Sequence, residues 1–200
     1  MLYFTSDVHF NDMDTIINDN RPFKSTKRFD RYVIKLWNKQ ANKNDTIYVV
    51  GDLVDCNGPE QDSWKKSILY VRKIKAGIVL IMGNNEDRIV KYFFDNDFSK
   101  FREYCLNIGF KDVYKDLSIF LNNKEFYLTH KAINYKKDVI NLFGHCHRSM
   151  GLYKPFGFNI SCDLNHFRLY SEKDIEFLLK MKEEYWNKDK CLNMVMDNKE

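Results

Sequence analysis

Short apolar or β-branched runs recur along this chain, and helical patterns separate several of them. Runs of this kind, bounded by turn residues, are typical of strands. Two of the runs, 117–121 and 125–129, are joined across Asn122, Asn123 and Lys124, which indicates a hairpin. The pattern therefore predicts an α/β fold with mixed sheets, with strands over 2–5, 46–50, 78–82, 117–121, 125–129, 139–143 and 158–162.

Helical periodicity is clearest in residues 27–40, where apolar side chains follow the i, i+3, i+4, i+7 spacing behind a Ser25 or Thr26 cap. Similar patterns predict helices over 64–74 and 100–108, the second ended by Gly109. Ser171 begins a last helix, with Asp174 in the capping-box position, that extends to about residue 185. Residues 186–200 are polar and lack a period, so we expect a single domain over 1–185 followed by a loose tail.

The composition of the 200-residue chain, 44% hydrophobic and 30% charged, is that of an ordinary globular domain. No uncharged apolar run approaches the ~18 residues of a membrane helix, and the first residues do not resemble a signal peptide. The five cysteines are scattered and odd in number, which favours neither a disulfide framework nor a thiolate zinc site. These features favour a cytoplasmic protein without a membrane partner.

The net charge is small. Lysine and arginine total 32 against 28 acidic residues, which gives +4, and we expect this excess to be spread along the chain. A dedicated nucleic-acid-binding module would show a clustered basic block instead. The charge is compatible with a substrate that carries phosphate.

Polar side chains stand at the ends of the predicted strands, next to turns. In open α/β sheets, the carboxyl ends of the strands converge on the ligand site. A single histidine in such a place is more often a surface or core residue than a ligand, but oxygen and nitrogen donors at five strand ends together favour a metal site. The candidate ligands are Asp7, His9, Asp52, Asn84, His130, His145 and His147.

Two pairs of these donors are separated by one residue, in Asp7-Val8-His9 and His145-Cys146-His147. Because side chains alternate between the two faces of an extended strand, we expect each pair to bind in one metal pocket. A glycine stands immediately before three of the ligands or ligand pairs, where the missing Cβ lets the backbone turn sharply and approach an ion. These glycines are Gly51, Gly83 and Gly144.

The motifs resemble, in order and spacing, the blocks of the calcineurin-like metallophosphoesterase superfamily over roughly residues 1 to 165. Segments such as Asn20-Arg21-Pro22-Phe23 are also similar to a small bacterial and phage-type subgroup of predicted phosphoesterases. The resemblance implies a mixed β-sheet sandwich flanked by helices, in four αββα layers, and a phosphoester hydrolase. It is carried by Asp7-Val8-His9, Gly51-Asp52, Gly83-Asn84-Asn85-Glu86, His130 and Gly144-His145-Cys146-His147.

The resemblance also implies two divalent ions. One would be held by Asp7, His9, Asp52 and His147, and the other by Asp52, Asn84, His130 and His145. Asp52 would bridge the ions, and a hydroxide shared by them would be the nucleophile. The ions would bring more positive charge than Asp7, Asp52 and the hydroxide neutralise, so the pocket would attract phosphate. Nitrogen and oxygen donors without thiolates favour Mn²⁺, with Fe, Zn²⁺ or Ni²⁺ as alternatives.

Asn85 departs from the superfamily pattern, in which a histidine often occupies this position. An amide donates a hydrogen bond but cannot deliver a proton to a leaving group. Superfamily branches that lack this histidine often resemble phosphodiesterases, so we expect a phosphodiesterase acting on nucleotides or other small diesters. Asp52 and Asn85 are then the candidate catalytic residues, although Asn85 is equally explained as the cap of a helix that begins near Glu86.

Three residues are candidates for substrate binding: Arg21, Asn85 and His166. Arg21 could clamp a phosphate through two hydrogen bonds, but an ion-paired or surface arginine is the simpler explanation. His166 follows the last predicted strand and could line the cleft, support a ligand or lie on the surface. A phosphomonoesterase, a protein phosphatase and a non-catalytic scaffold on the same fold remain alternative functions, and the sequence leaves the oligomeric state open.

Overall fold

The computed structural model describes residues 1–60 and 62–186. Its first sheet has the strand order β10-β1-β2-β3-β4, in which β1 to β4 are parallel and β10 runs antiparallel to β1. These strands are β1 (Leu2–Thr5), β2 (Thr46–Val50), β3 (Gly77–Ile81), β4 (Asp112–Tyr114) and β10 (Tyr170–Ser171).

The second sheet has the order β5-β6-β7-β9-β8. Its three central strands are parallel, whereas β5 and β8 at the edges are antiparallel to their neighbours. The strands are β5 (Leu117–Leu121), β6 (Lys124–Lys131), β7 (Ile140–Gly144), β8 (Tyr153–Lys154) and β9 (Gly157–Asn159). Both sheets are therefore mixed.

In residues 1–60 and 62–186, six α-helices accompany the sheets: α1 (Met13–Asn18), α2 (Thr26–Gln40), α3 (Trp64–Ser67), α4 (Asn84–Phe93), α5 (Phe98–Ile108) and α6 (Glu172–Met181). The third continues as a 3-10 helix over Ile68–Lys73, and the sixth as a π-helix over Lys182–Trp186. Short 3-10 turns cover Ala132–Asn134 and Cys162–Leu164. Within the described part of the chain, no helix has the length and apolar composition needed to cross a membrane.

Two apolar clusters hold these layers together. Successive residues of β2 point to opposite faces of the sheet, so Ile47 and Val49 pack against α2 to α5 while Val50 faces the second sheet. On the helical side, the fully buried Phe29 and Trp37 fill the space above the first sheet. Each such side chain contributes about 1.5–3 kcal/mol through its burial. Burial on both faces explains why β2 is a continuous apolar run.

The predicted fold class is confirmed: two mixed sheets flanked by helices form an α/β structure of the expected kind. All seven predicted strands are present, and the predicted hairpin turn has Asn122 and Asn123 with φ of 47° and 63°, as a type I′ turn requires. The strand predicted over 158–162 ends early, at Asn159, because a 3-10 turn begins at Cys162. The single domain over 1–185 stays a prediction, and the tail predicted over 186–200 lies outside the described residues apart from residue 186, where the π-helix ends.

Strand direction determines where the candidate ligands lie. The first candidate ligand associated with each of the strands β1, β2, β3, β6 and β7 lies within three residues of the strand's carboxyl end. A parallel bridge between Ser6 and Ser161 joins the two sheets beyond β1 and β9, and the Cys162 N–H donates to the Ser6 carbonyl at 3.0 Å. The ends of both sheets therefore meet at one edge of the sandwich.

Candidate metal centre

The candidate ligands form two groups at this edge. Asp7, His9 and His147 can each offer one ligand atom within 4.8 Å of the others, and the same is true of Asp52, His130 and His145. Asn84 adjoins the second group, since its Oδ1 lies 3.1 Å from His130 Nε2. All seven candidate ligands are thus brought together from five strand ends.

Asp52 lies between the two groups. Its Oδ2 is 3.6 Å from His9 Nε2 and 3.4 Å from His130 Nε2, so one carboxylate faces a histidine of each group. Burial alone would raise the pKa of Asp52, but the hydrogen bond and charge of His130 and the charge of His9 hold it well below its usual range. Burial likewise opposes a charge on His130, whereas Asp52 raises the pKa of that imidazole to about 9. Without an ion, the carboxylate and the imidazole stabilise each other's charged forms.

Hydrogen bonds at Nδ1 orient His9 and His130. His9 Nδ1 lies 3.0 Å from Asp12 Oδ2, and His130 Nδ1 lies 2.9 Å from the Val50 carbonyl. Burial would raise the pKa of the Asp12 carboxyl, but hydrogen bonds from His9 and Thr15 lower it from 3.8 to about 2, so the group is ionised. An ionised carboxylate and a backbone carbonyl can only accept hydrogen bonds. Each Nδ1 therefore carries a hydrogen, and Nε2 is the atom of each ring that would bind an ion once any proton on it has been lost. His9 Nε2 is buried and has no hydrogen-bond partner among the residues that the structure describes, as expected of an atom that binds an ion.

His147 is oriented by two carboxylates. Its Nδ1 lies 3.0 Å from Asp163 Oδ2 and 2.9 Å from Asp19 Oδ2. Burial lowers the pKa of this imidazole, but Asp163 and Asp19 together raise it to about 10. Metal-binding histidines usually donate their second nitrogen to a carboxylate or carbonyl in this way. The residues present therefore fit two divalent ions.

Sequence reasoning missed the carboxylates that orient the histidines. Asp12 stands three residues after His9, a spacing that could have indicated the contact. Asp163 follows β9 and reaches His147 only through the tertiary fold, so no local signal identifies it.

The prediction that each ligand pair is aligned by the alternation of side chains along an extended strand is wrong. Asp7 and His9 follow β1 with φ of 56° and 54°, and His145 and His147 follow β7 with φ of 70° and 44°. These are left-handed conformations rather than extended ones, so strand alternation does not align the side chains. His145 and His147 accordingly separate into different groups instead of sharing one pocket. Left-handed residues other than glycine cost about 1–2 kcal/mol each and are concentrated at functional sites.

Close backbone approach is confirmed at the three glycines. Gly51 has φ of +83°, and a Cβ there would overlap the His130 ring. A Cβ at Gly83 would overlap Asp52, and one at Gly144 would overlap Ser6 and Asp7. A larger residue at these positions would displace a candidate ligand.

The predicted substrate role of Arg21 does not agree with its position. The guanidinium is completely buried and donates two hydrogen bonds to Asp163, from Nε at 2.9 Å and from NH2 at 2.8 Å. Further bonds run to the carbonyls of Asp7 (2.7 Å) and Val8 (2.8 Å). No part of the guanidinium faces solvent, so Arg21 cannot clamp a phosphate. It instead secures the loop that carries Asp7 and the carboxylate that orients His147.

Asn85 is not a helix cap, because α4 begins at Asn84 with Gly83 as its N-cap. Its backbone N–H donates to Asp52 Oδ1 at 2.9 Å, and its side-chain oxygen accepts from the Cys56 N–H and from Arg88. The amide NH₂ is then the part of this side chain that would donate to a leaving group. His166 is exposed, has φ of 52° and belongs to neither ligand group.

A cavity of about 370 Å³ adjoins the second ligand group. Its lining includes Asn84 and His130, together with Lys115, Lys131 and Asn134. The cavity also has Asp87 and Asp116 in its lining, so its charge is mixed. A small phosphoester could enter it beside the candidate ligands.

Comparison with known proteins agrees with this geometry. The family model described as calcineurin-like phosphoesterase matches residues 2–194. An uncharacterized protein of Methanocaldococcus jannaschii, MJ1445, is 30% identical over 96 residues, which cover 46% of this chain and 52% of that protein. The chain therefore aligns with about half the length of that curated relative.

Among solved structures, the protein of unknown function AQ665 from Aquifex aeolicus aligns with a TM-score of 0.60 at 20% identity, over 89% of this chain and 98% of its own. A novel archaeal phosphodiesterase aligns with a TM-score of 0.47 at 18% identity, over 81% of this chain and 84% of its own. Because the family model matches nearly the whole sequence, the chain belongs to the calcineurin-like phosphoesterase family.

Proposed function

We propose that the protein is a phosphodiesterase with a centre for two divalent ions. Asp7, His9, Asp52 and His147 hold one ion, and Asp52, Asn84, His130 and His145 hold the other. The observation that carries the proposal is the position of Asp52 Oδ2, at 3.6 Å from His9 Nε2 and 3.4 Å from His130 Nε2. A carboxylate placed between two imidazoles in this way can bridge two ions.

When bound, such a pair of ions activates a water molecule, holds phosphate oxygens and stabilises an in-line displacement. The residues of the chain supply the geometry. Asp12 and the Val50 carbonyl fix the imidazoles of His9 and His130, so both Nε2 atoms face the centre before any ion arrives. The Asn85 backbone N–H holds Asp52 Oδ1 and thereby fixes the orientation of the bridging carboxylate.

Manganese is the proposed native metal. Imidazole, carboxylate and amide donors without a thiolate suit Mn²⁺, whereas Fe, Zn²⁺ and Ni²⁺ accept the same donors and remain alternatives. The surplus positive charge of such a centre attracts a phosphate anion, and Lys115 and Lys131 on the adjoining cavity would add to that attraction.

The preference for diesters is inferred from residue 85, because superfamily branches that lack a histidine at this position often resemble phosphodiesterases. The buried Asn85 amide can donate a hydrogen bond to a leaving oxygen but has no proton to transfer. Leaving groups of low pKa do not require that proton, whereas general acid catalysis typically contributes ~10²–10⁴-fold with leaving groups of high pKa. We therefore assign Asn85 to the leaving-group side of the substrate, with Asp52 as the bridging ligand.

The proposal is tested with protein that has been stripped by chelator and reconstituted with Mn²⁺. Hydrolysis of bis(4-nitrophenyl) phosphate should exceed hydrolysis of 4-nitrophenyl phosphate, and the chelator should abolish both. The Asp52→Asn variant should lose about 100-fold or more, since removal of an outer partner of a metal ligand already costs 10–100-fold. The exposed Asp95 provides the matched control, Asp95→Asn, which should retain full activity. Unchanged turnover after confirmed metal removal would contradict the proposed chemistry.

A further inference from the structure

Positive charge is concentrated in two segments of the chain, contrary to the dispersed pattern expected from the composition. Residues 24–43 contain seven lysines and arginines, and residues 63–76 contain five, with Asp30 as the single acidic residue of both segments. Because the whole chain carries only +4, the remainder is net acidic. The charge is therefore strongly asymmetric.

The fold brings these two segments together. Helix α2 lies beside the 3-10 helix Ile68–Lys73, and Asn38 connects them, with its amide donating to the Lys73 carbonyl (2.8 Å) and its oxygen accepting from the Lys75 N–H (2.7 Å). A groove of about 510 Å³ runs between the two elements. Its cationic lining consists of Lys27, Arg31 and Lys35 from α2 and Lys73 from the opposite wall.

The three cations of α2 form one row. They are spaced four residues apart, which places them on the same face of the helix at a rise of about 6 Å per step. All three are exposed, and none of the four groove cations forms a salt bridge with any residue that the structure describes. Asp30, the acidic residue that lines the groove, is only 3% exposed. Among the described residues, the groove therefore presents a predominantly cationic surface to solvent.

The groove adjoins the loop that carries His9. The Asn11 N–H donates to Asp30 Oδ1 at 3.2 Å, and Phe10 contacts Tyr70 edge-to-face with ring centroids 5.5 Å apart. Both Asp30 and Tyr70 line the groove. A ligand in the groove would thus lie against elements that pack on the metal-binding loop.

We propose that this groove binds the phosphodiester backbone of a single-stranded nucleic acid. Its row of cations matches a ligand with repeated negative charge, and each phosphate neutralised by a cation releases counterions. A membrane surface fits less well, because the apolar face of α2, with Phe29, Val33 and Trp37, is buried in the core and cannot enter a bilayer. The choice of nucleic acid as the polyanion rests on the proposed phosphodiesterase function.

The proposal is tested by binding, on metal-free protein, so that the result does not depend on hydrolysis. Fluorescence anisotropy with a labelled oligothymidylate is measured over a series from about 50 to 200 mM salt, where binding through phosphates is strongly salt-dependent. The triple variant Lys27→Gln/Arg31→Gln/Lys35→Gln should bind at least about tenfold more weakly at the low-salt end. Its slope of log K against log salt should be smaller by about 2, since each contact with a single strand contributes about 0.7.

A control variant removes the same charge elsewhere. Lys124→Gln/Lys173→Gln/Lys180→Gln changes three exposed lysines on the hairpin and on α6, and it should bind the oligonucleotide within about twofold of the parent protein. The single variant Arg31→Gln provides a milder test if the triple variant has an altered melting temperature. Equal loss in both triple variants, or no loss in the groove variant, would overturn the proposal.

Two further measurements separate the alternatives. Vesicles of phosphatidylserine and phosphatidylcholine should not bind, and binding to vesicles but not to the oligonucleotide would overturn the choice of nucleic acid. The groove variant should hydrolyse bis(4-nitrophenyl) phosphate at the parental rate with Mn²⁺. If the parent binds the oligonucleotide through the groove but hydrolyses no diester, the proposed activity fails and the groove inference stands.

Discussion

The buried carboxylate of Glu86 accepts a hydrogen bond from the backbone N–H of Asp52 at 2.9 Å. The same carboxylate accepts from the N–H groups of Gly83 (2.8 Å) and Leu53 (3.0 Å). Glu86 therefore connects the turn after β2 to the start of α4, although it lies outside both ligand groups. Burial raises its pKa to about 7, an effect to which the charge of Asp52 adds. The position of the proposed bridging residue thus depends on Glu86.

We predict that Glu86→Gln destabilises the fold and weakens metal binding together. Glutamine has one acceptor oxygen and presents donors where a backbone N–H now donates, so at least one buried N–H loses its partner, at a cost of about 1–3 kcal/mol. Urea unfolding measures the loss, and a Mn²⁺ titration followed by calorimetry measures the affinity. The exposed Glu103 supplies the control, Glu103→Gln. Native Mn²⁺ affinity in a folded Glu86→Gln protein would show that Glu86 does not position Asp52.

We predict that Arg21→Met lowers the free energy of unfolding by about 3–5 kcal/mol, the usual effect of breaking a buried ion pair. The substitution leaves Asp163 buried without its guanidinium partner and removes the bonds to the carbonyls of Asp7 and Val8. Chemical denaturation of the metal-free proteins measures the change. Arg28→Met, at an exposed position of α2, is the control. If the Arg21→Met protein has the wild-type free energy of unfolding and a raised KM for phosphodiesters, Arg21 binds substrate and the structural role is wrong.

Asp30 predicts a pH dependence of stability. Burial raises its pKa from 3.8 to about 6, and the Asn11 N–H, the Tyr70 hydroxyl and Lys73 offset only part of this effect. Between pH 4 and 6 the folded protein therefore retains a proton that the unfolded chain has lost, so the contribution of Asp30 to stability falls as pH rises. A pKa shift of about two units corresponds to a change of up to about 3 kcal/mol in the free energy of unfolding.

The Asp30→Asn variant should remove this decline. Urea unfolding at pH 4.5 and 7.5 should show a smaller loss of stability with rising pH than in the parent, and a higher stability at pH 7.5. The exposed Asp62 serves for comparison, since Asp62→Asn should leave the pH profile unchanged. Identical profiles for Asp30→Asn and the parent would mean that Asp30 is ionised normally in the folded protein.

The Asn85→His variant tests the leaving-group assignment. A titratable donor at residue 85 should reduce the dependence of rate on leaving-group pKa and should raise activity on unactivated monoesters relative to diesters. A series of substituted phenyl and alkyl phosphates, assayed at matched metal content, measures both quantities. Asn85→Ala, which removes the hydrogen-bond donor, should steepen the dependence. The same slope in all three proteins would place residue 85 away from the leaving group.

Periodicity and turn chemistry predicted much of the fold because they are local properties. The apolar run of β2 and the amphipathic pattern of α2 are strong signals, and both elements occur where they were expected. Helix α1 was missed, since six residues are too few to show a period, although Asp12 caps it by accepting from the Thr15 N–H. The three-residue strand β4 was missed because its pairing with β3 is a tertiary interaction.

The candidate site was predictable only as a set of donors. Asp52 and His130 are far apart in sequence, and their proximity followed from strand ends and from the family resemblance rather than from local pattern. The buried position of Arg21 depends on Asp163, a residue 142 positions away, so no local signal could show that its guanidinium is fully paired. The left-handed conformations of Asp7 and His9 were likewise hidden, because nothing in Asp-x-His distinguishes a strand from a strained loop.

Metal stoichiometry tests the bridging role of Asp52 most directly. Elemental analysis after reconstitution with Mn²⁺ and removal of excess metal should give two ions per chain for the parent protein. The Asp52→Asn protein should lose most of both ions, because Asp52 is the proposed bridge. The His147→Ala protein should lose mainly one ion, because His147 belongs to only one of the two proposed sites, the one that contains Asp7 and His9. A parent protein that retains no manganese, or an Asp52→Asn protein that retains both ions, would contradict the two-ion centre.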